Sequence, residues 1–353
     1  MKIIETNIQS HYKNNLPFVV YNKPNSNTVS SYFMKDDGLS YTTNFTEEGF
    51  VFAPYDVKEK AILFASEKAD FIEDTILLAP NLNLKEDFEE VVSGKNKHLQ
   101  LVEKAIKEIQ LTYLKKVIVS RKEVKKVSNF NVLNTFKKLL KAYPTALVYI
   151  WFHPKVGLWF GATPETLLAI SDANFKTMSL AGTQLNTNTV PVVWKSKELE
   201  EQQLVTDFIE NELKEVASNL IVNKKETVKA GGLLHLKTVI FGVLNKNATL
   251  KELINSLHPT PAICGLPRAN AMSFISKHEN YNRTFYTGFL GELNKKEPQL
   301  KTVNSQLYVN LRCMSVENNE VSIYVGGGIT KDSNAEKEWQ ETVSKSMTIK
   351  KVL

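Results

Sequence analysis

The chain has 353 residues, 42% of them hydrophobic and 23% charged, with 44 basic against 38 acidic side chains and a formal net charge of +6. These values are ordinary for a soluble globular protein with a sizeable core, in one large domain or two. The positive excess is scattered in pairs such as Lys115-Lys116 and Lys125-Lys126, with no basic tail or aromatic-interleaved basic stripe, so no nucleic-acid partner is expected and a small anionic substrate fits better.

The two cysteines, Cys264 and Cys313, lie far apart in apolar surroundings without metal-ligand spacing, and read as buried free thiols. The N-terminal stretch has no long apolar run and no cleavage signal. No segment approaches the roughly 20 apolar residues of a membrane span. The expected location is cytoplasmic, away from membranes.

In chain order, the first ninety residues read as short strands, "FVVYN", "VSSYF", "GFVFAPY" and "AILFA", separated by Asn, Ser, Gly and Asp clusters. A helix fits "KNKHLQLVEKAIKEIQ", with Leu99, Val102, Ala105, Ile106 and Ile109 on one stripe. Then come a strand "KKVIVSRKEV", a helix "NVLNTFKKLLKAY", and strands "ALVYIWF" and "GLWFGAT". The longest amphipathic pattern, residues 195–221, predicts a helix with Leu204, Phe208, Ile209, Leu213 and Val216 on its apolar face. Later helices are "LKELINSL", "ANAMSFISKH" and "NAEKEWQETVSKSM", and later strands are "TFYTGFLGEL", "SQLYVNLRCMSV" and "EVSIYVGG". Strands and helices mix without βαβ alternation, and no Pro/Gly/Ser-rich linker divides the chain. An α+β fold with mainly antiparallel sheets in a single domain is expected.

Five stretches carry candidate chemistry. In "KKVIVSRK", Lys116 opens an apolar strand; it is either at a sheet edge or buried in a pocket, where burial would lower its pKa and make it a general base. In "FGATPETLL", Pro164 marks a turn or helix start and Glu165 suits a first helical turn, where it could simply complement the helix dipole. In "KELEEQQLV", Glu198, Glu200 and Glu201 precede an apolar stripe; most should be solvated, but one could be held against a cation. "LHPTPAICGLPRANA" is a proline-stiffened loop that either walls a pocket or merely packs. Finally, Arg312 stands among apolar strand neighbours and wants a carboxylate, while Gly326, Gly327 and Gly328 form a glycine loop whose N–H groups could take an anion. Just beyond, "EWQETVSKS" puts Glu338, Glu341 and Lys345 on one helical face, as a solvated ion pair or as a metal and anion site.

Taken together, "KVIVSR", "FGATPETLL", "SLAGTQ", "KELEEQQLV", "LLHLKT", "LHPTPAICGLPR", "FYTGFLGEL", "VNLRC", "YVGGGIT" and "EWQETVSK" resemble, in order and spacing, the chorismate-utilising enzymes. These are the isochorismate and salicylate synthases and the synthase subunits of anthranilate and aminodeoxychorismate formation. The resemblance covers roughly the last two-thirds of the chain, from Lys116 to Lys345. It implies two mainly antiparallel sheets packed together and flanked by helices, with residues 1–95 as a strand-rich N-terminal part and 96–353 as the chorismate-binding catalytic region.

Members with lysine at the position of Lys116 add water rather than ammonia, so the resemblance implies no glutaminase partner. It further implies that Lys116 deprotonates a water attacking C2 of chorismate and that Glu165 protonates the departing C4 hydroxyl. Mg2+ would bind the ring carboxylate, held by Glu201 and Glu341 with Glu338 close or through water. Gly182, Thr183, His235, Ala262, Tyr286, Arg312, Gly326, Gly328 and Lys345 match substrate-contacting positions. The chain departs from the family at Gln184, Gln202 and the residue after the threonine of "HLKT". Ala262 resembles the isochorismate synthases, where salicylate formers tend to carry threonine. Isochorismate synthase, feeding menaquinone or siderophore synthesis, is therefore expected, with salicylate synthase and a non-catalytic chorismate-binding relative as alternatives. A monomer is expected.

Overall fold

A computed structural model describes residues 1–76, 84, 94–186, 192–297 and 299–353. In chain order the elements are helix α1 (Lys2–Lys13), strands β1 (Phe18–Asn22), β2 (Thr28–Met34), β3 (Tyr41–Thr42), β4 (Gly49–Ala53), β5 (Ala61–Ala65) and β6 (Ala69–Thr75), and helix α2 (Lys95–Leu111). Next come β7 (Lys116–Lys126), α3 (Val132–Ala142), β8 (Leu147–His153), β9 (Gly157–Thr163), β10 (Thr166–Ser171), β11 (Asn174–Leu185) and α4 (Ser196–Leu213). After them run β12 (Ala217–Val222), β13 (Glu226–Ala230), β14 (Leu233–Leu244), α5 (Leu250–Leu257), β15 (Gly265–Leu266) and α6 (Arg268–His278). The chain closes with β16 (Phe289–Glu297), β17 (Thr302–Val309), β18 (Cys313–Glu317), β19 (Glu320–Ile329) and α7 (Ala335–Lys350).

Two large sheets result, one in the order β15-β7-β19-β18-β9-β8-β1-β2-β6 and the other β12-β14-β11-β10-β17-β16-β4-β5-β3, with β13 also on β14. The pairings are antiparallel, for example β1 on β8 and β4 on β16, so strands from the first 76 residues are internal to both sheets. The α+β expectation holds. The segment 77–93, which contains most of the stretch before the expected boundary at 95, lies largely outside the described residues.

Between the sheets sits an aromatic core. Val19, Tyr21 and Trp151 of one sheet meet Phe50, Phe52 and Phe64 of the other, and Phe64 stacks on Trp151 with ring centroids 5.1 Å apart. Such rings carry large apolar area and add about 0.5–1.5 kcal/mol per pair beyond burial. Helices cover the outer faces. α1 and α3 pack on the first sheet through Ile4, Ile8, Phe136 and Leu139, and α4 and α5 on the second through Val205, Ile209, Leu253 and Ile254.

Three local expectations are corrected. The helix expected over 195–221 stops at Leu213, and residues 217–222 pair with β14 as a strand; Asn219, at φ +53°, sits in that strand where its register shifts between Ser218 and Ile221. Glu165 opens no helix: the β-branched and aliphatic run that follows it continues directly as β10. The three glycines form no loop, since Gly326, Gly327 and Gly328 lie in β19 opposite Ser120, Val119 and Ile118.

Candidate active site

The site grows from the alternation of β7. Val117 and Val119 point into a cluster with Val102 and Ala105 of α2 and Phe274 of α6, which turns Lys116, Ile118 and Ser120 to the opposite face. Lys116 is therefore fully buried, not at an exposed edge. Its Nζ lies 2.9 Å from Glu201 Oε1 of α4, in a charge contact off the direction of a regular hydrogen bond. Gly328 makes the approach possible: a Cβ there would stand 2.5 Å from Glu201 Oε1 and 3.1 Å from Lys116 Cε. Gly328→Ala should therefore lower stability by about 1–3 kcal/mol, the usual cost of overpacking. Thermal denaturation of the variant against the parent measures it.

Glu165, in the link between β9 and β10, is 3% exposed. Its backbone carbonyl accepts from Val309 N at 3.0 Å, which anchors the link to β17. Burial pushes its carboxyl up to about 8, against the opposing pull of Lys116, Arg312 and Lys345. It is thus a neutral acid at pH 7 that can donate a proton.

Arg312 does not lie within a strand. It sits at φ +48° in the break between β17 and β18, which swings its guanidinium toward His235, with Nη2 3.5 Å from Nε2. The other ring nitrogen of His235 faces Gly182 O at 3.0 Å and Thr183 Oγ1 at 3.3 Å. Burial first, then Arg312 and Lys345, push the imidazole down to about 3, so it is neutral. Gly182 takes φ +69° at the bulge in β11, and an added Cβ would press on Glu198 at 3.2 Å.

From α7, Lys345 donates to Gly326 O at 2.9 Å and pairs with Glu341 Oε1 at 2.6 Å. Burial opposes ionisation of Glu341, but Lys345 outweighs it and holds the carboxylate below its usual range. Glu338 is raised, by burial and then by Glu341, although Lys197 donates to its Oε1 at 2.6 Å. Tyr286, 3% exposed, stacks on Tyr324 at 5.6 Å and stands over Gly326. Glu165, Gly182, Thr183, Glu201, His235, Ala262, Tyr286, Arg312, Gly326, Gly328, Glu341 and Lys345 all line one pocket, with Lys116 against its floor at Gly328. Its free volume is only about 60 Å³, but an antechamber of about 710 Å³ opens beside it, sharing Thr183 and Glu341 and reaching Glu338.

Of the three expected metal ligands, Glu201 and Glu341 line this pocket and Glu338 lines the antechamber beside it. Glu338 Oε2 and Glu341 Oε1 both approach Gly327, and Glu201 reaches the next residue. Among the described residues no three acidic, His or Cys side chains are gathered tightly enough to hold an ion unaided. An oxygen-only set of this kind nevertheless fits Mg2+, which keeps several waters and takes one or two carboxylates together with substrate oxygens. Glu341 repels Glu338, and a bound cation would relieve that repulsion.

Two participants were not singled out from the sequence. Lys197, inside the quoted acid-rich stretch, is the partner of Glu338. Arg283, 3% exposed, donates to Ile118 O at 2.8 Å and to Ile263 O at 2.9 Å, tying β7 to the proline loop. Arg283 also pairs with Glu279 at 2.6 Å, and that i, i+4 spacing is the one signal that could have marked it; its bonds to carbonyls and the distant Lys197–Glu338 pair leave none. The two departures in "AGTQ" and "EEQQ" have local roles: Gln184 donates to Val193 O, and buried Gln202 donates to Ser179 O and Oγ. Both cysteines are buried free thiols. No helix among the described residues is long and apolar enough to cross a membrane.

Comparison with known proteins agrees with this fold. Residues 59–353 match the family model of the chorismate binding enzymes. The chain is 28% identical to the isochorismate synthase MenF of Escherichia coli over 283 residues, 78% of this chain and 64% of that protein. It is 30% identical to the isochorismate synthase DhbC of Bacillus subtilis over 199 residues, 54% of this chain and 48% of the relative. The matched stretches thus span about half to two thirds of the length of these curated relatives. A crystal structure of a 2,3-dihydroxybenzoate-specific isochorismate synthase, DhbC from Bacillus anthracis, superposes with a TM-score of 0.80 at 22% identity, covering 99% of this chain and 98% of that one. The fold is shared, the family's motifs converge on one pocket, and the chain belongs to the chorismate binding enzyme family.

Proposed function

We propose that the protein is an isochorismate synthase, which isomerises chorismate by adding water at C2 and expelling the C4 hydroxyl. The observation that carries this reading is the pairing of a fully buried lysine with a neutral buried carboxylic acid in one pocket. Such a pair supplies base and acid to opposite ends of one allylic displacement. Lys116, acting as the free amine, takes a proton from the attacking water. Glu165 gives its proton to the leaving hydroxyl, so that water leaves rather than hydroxide. Arg312 and Lys345 supply the positive charge for the substrate carboxylates, and neutral His235 donates or accepts a hydrogen bond at the hydroxyl. Bound at Glu201, Glu338 and Glu341, Mg2+ would neutralise and orient the ring carboxylate.

The closed pocket is too small for the substrate, so entry through the antechamber requires side chains to part at the shared residues Thr183 and Glu341. Both menaquinone-type and dihydroxybenzoate-type isochorismate synthases stand among the relatives, and the product here feeds menaquinone or siderophore synthesis. Lysine as the base makes an ammonia-supplying glutaminase subunit unnecessary, and the enzyme acts as a cytoplasmic monomer.

Incubation with chorismate and Mg2+, followed by chromatographic separation, tests the reading. Isochorismate as the sole product, lost on addition of EDTA, is expected. Salicylate with pyruvate would place the protein with the lyases and remove the argument from Ala262. Chorismate binding without turnover would leave a non-catalytic binder.

A further inference from the structure

Strand β7, which carries Lys116, is held on one side by β19 from Val117 to Lys126. On its other side stands β15, only two residues long. It pairs with Lys116 and Val117, and just before it Cys264 O takes the Ile118 N–H at 2.8 Å. In an antiparallel ladder the N–H and C=O of every second residue face the same neighbour. The next two groups on that side are therefore Ile118 O and Ser120 N, and among the described residues no strand pairs with them there.

A buried ion pair takes the place of the missing strand. Arg283 Nη2 donates to Ile118 O at 2.8 Å, and Ser120 N donates to Glu279 Oε1 at 2.7 Å. The two side chains join each other twice, Nε to Oε2 at 2.8 Å and Nη2 to Oε1 at 2.6 Å, and each is 2% exposed. One donor and one acceptor thus meet β7 as an edge strand would, which spares two backbone groups the cost of burial without a partner. Burial opposes the charge on the guanidinium, but Glu279 outweighs it.

The remaining donors of Arg283 reach the opposite side of the pocket. Nη1 donates to Ile263 O at 2.9 Å and to Thr287 Oγ1 at 3.3 Å. All five N–H groups of the guanidinium are engaged, two by Glu279 and one each by Ile118, Ile263 and Thr287. Those last three residues line the candidate active site. Ile118 is two residues from Lys116, Ile263 follows Ala262 and Thr287 follows Tyr286. We infer that Arg283, fixed by Glu279, is a positioning residue for the reaction: it sets the spacing between the Lys116 strand and the wall at Ala262 and Tyr286, and with it the reach of the lysine to the attacking water. The inference rests on Lys116 as the base. Lysine cannot replace Arg283, because an ammonium holds its donors at one point where the planar fork spans four partners.

A double-mutant cycle separates positioning from a loss of stability. Arg283→Lys, assayed well below its melting temperature, should lower kcat by about 10–100-fold, the scale of a misplaced catalytic group. KM should stay within about threefold of the parent, since no bond of Arg283 goes to Arg312 or Lys345. On a Lys116→Met background the same change should lower the residual turnover by less than about threefold, because the group it positions is gone. Glu279→Gln keeps the shape of the acid but sets an amide N–H against an arginine donor. It carries the test if the lysine variant does not fold, and should repeat the pattern with a loss of about fivefold or more. An unchanged kcat in a folded variant, a rise in KM in place of the fall in kcat, or equal losses on the parent and Lys116→Met backgrounds would overturn the inference. Full turnover by Lys116→Met alone would remove the base itself, and the inference with it.

Discussion

Lys116→Met should lower chorismate turnover by about 10²–10⁴-fold, the range for loss of a positioned general base, while leaving chorismate binding through Arg312 and Lys345 within a few-fold of the parent. The methionine keeps the aliphatic stem that fills the space under Gly328 and removes only the ammonium. Glu201, 14% exposed, is then left without its partner, and some loss of stability follows, smaller than the ~3–5 kcal/mol for a fully buried pair. Lys116→Arg separates charge from base. Arginine can still face Glu201, but it does not give up its proton in a protein, so turnover should stay at the Lys116→Met level wherever the melting curve shows a folded chain. Recovery to within tenfold of the parent would mean that Lys116 contributes only positive charge, and the assignment of a base would fail.

Most of the frame was legible because period and partner agreed. Residues 116–120 alternate with a period of two, and the structure packs Val117 and Val119 against α2 and α6 while Ile118 lines the pocket and Lys116 lies beneath Gly328. Glu338, Glu341 and Lys345 sit three and four apart, and α7 turns them to the same side. The errors fell where tertiary contacts overrode local pattern. Residues 217–222 look helical beside α4, but β14 offers an unpaired edge, and the backbone bonds gained there win. Helix α1 was missed because only Ile4 and Ile8 are buried in it, too few for a periodic signal.

The glycines are the instructive case. Three in succession read as a loop when conformational freedom is the only property considered. In β19 their use is the missing side chain, since Glu201, Lys116 and Tyr286 approach the backbone where Cβ atoms would stand. Similarly, Arg312 looked like a strand residue among apolar neighbours, yet its left-handed backbone is what aims it at His235. The order of motifs located the pocket. The Lys345–Glu341 pair follows from its spacing, but that Lys116 answers Glu201 and Lys197 answers Glu338 could be learned only from the packed structure.

Glu165→Gln tests the other half of the chemistry and makes two predictions of opposite sign. Turnover should fall by about 10²–10⁴-fold, because the amide keeps the shape but has no proton to give. Stability should rise as well, by an amount that grows from about pH 4 to about pH 8. The folded-state pKa of Glu165 is pushed up to about 8 by burial, above the ordinary carboxylate value near 4.3 that it has when unfolded. Between those values the folded chain holds a proton that the unfolded chain has released, so stability declines as pH rises through the window and the full penalty is present above about pH 8. Below about pH 4 both states are protonated and there is no penalty. The glutamine variant lacks this dependence. Its melting temperature should come closest to the parent below about pH 4 and exceed it near pH 9, by an amount corresponding to a few kcal/mol at most. The parent's own turnover should decline as pH rises through the same value, because the proton donor is lost, whereas the residual activity of the variant should show no such limb. Equal pH dependence of stability in the two proteins would mean that Glu165 is ionised in the folded chain, and the proton for the C4 hydroxyl would have to come from elsewhere.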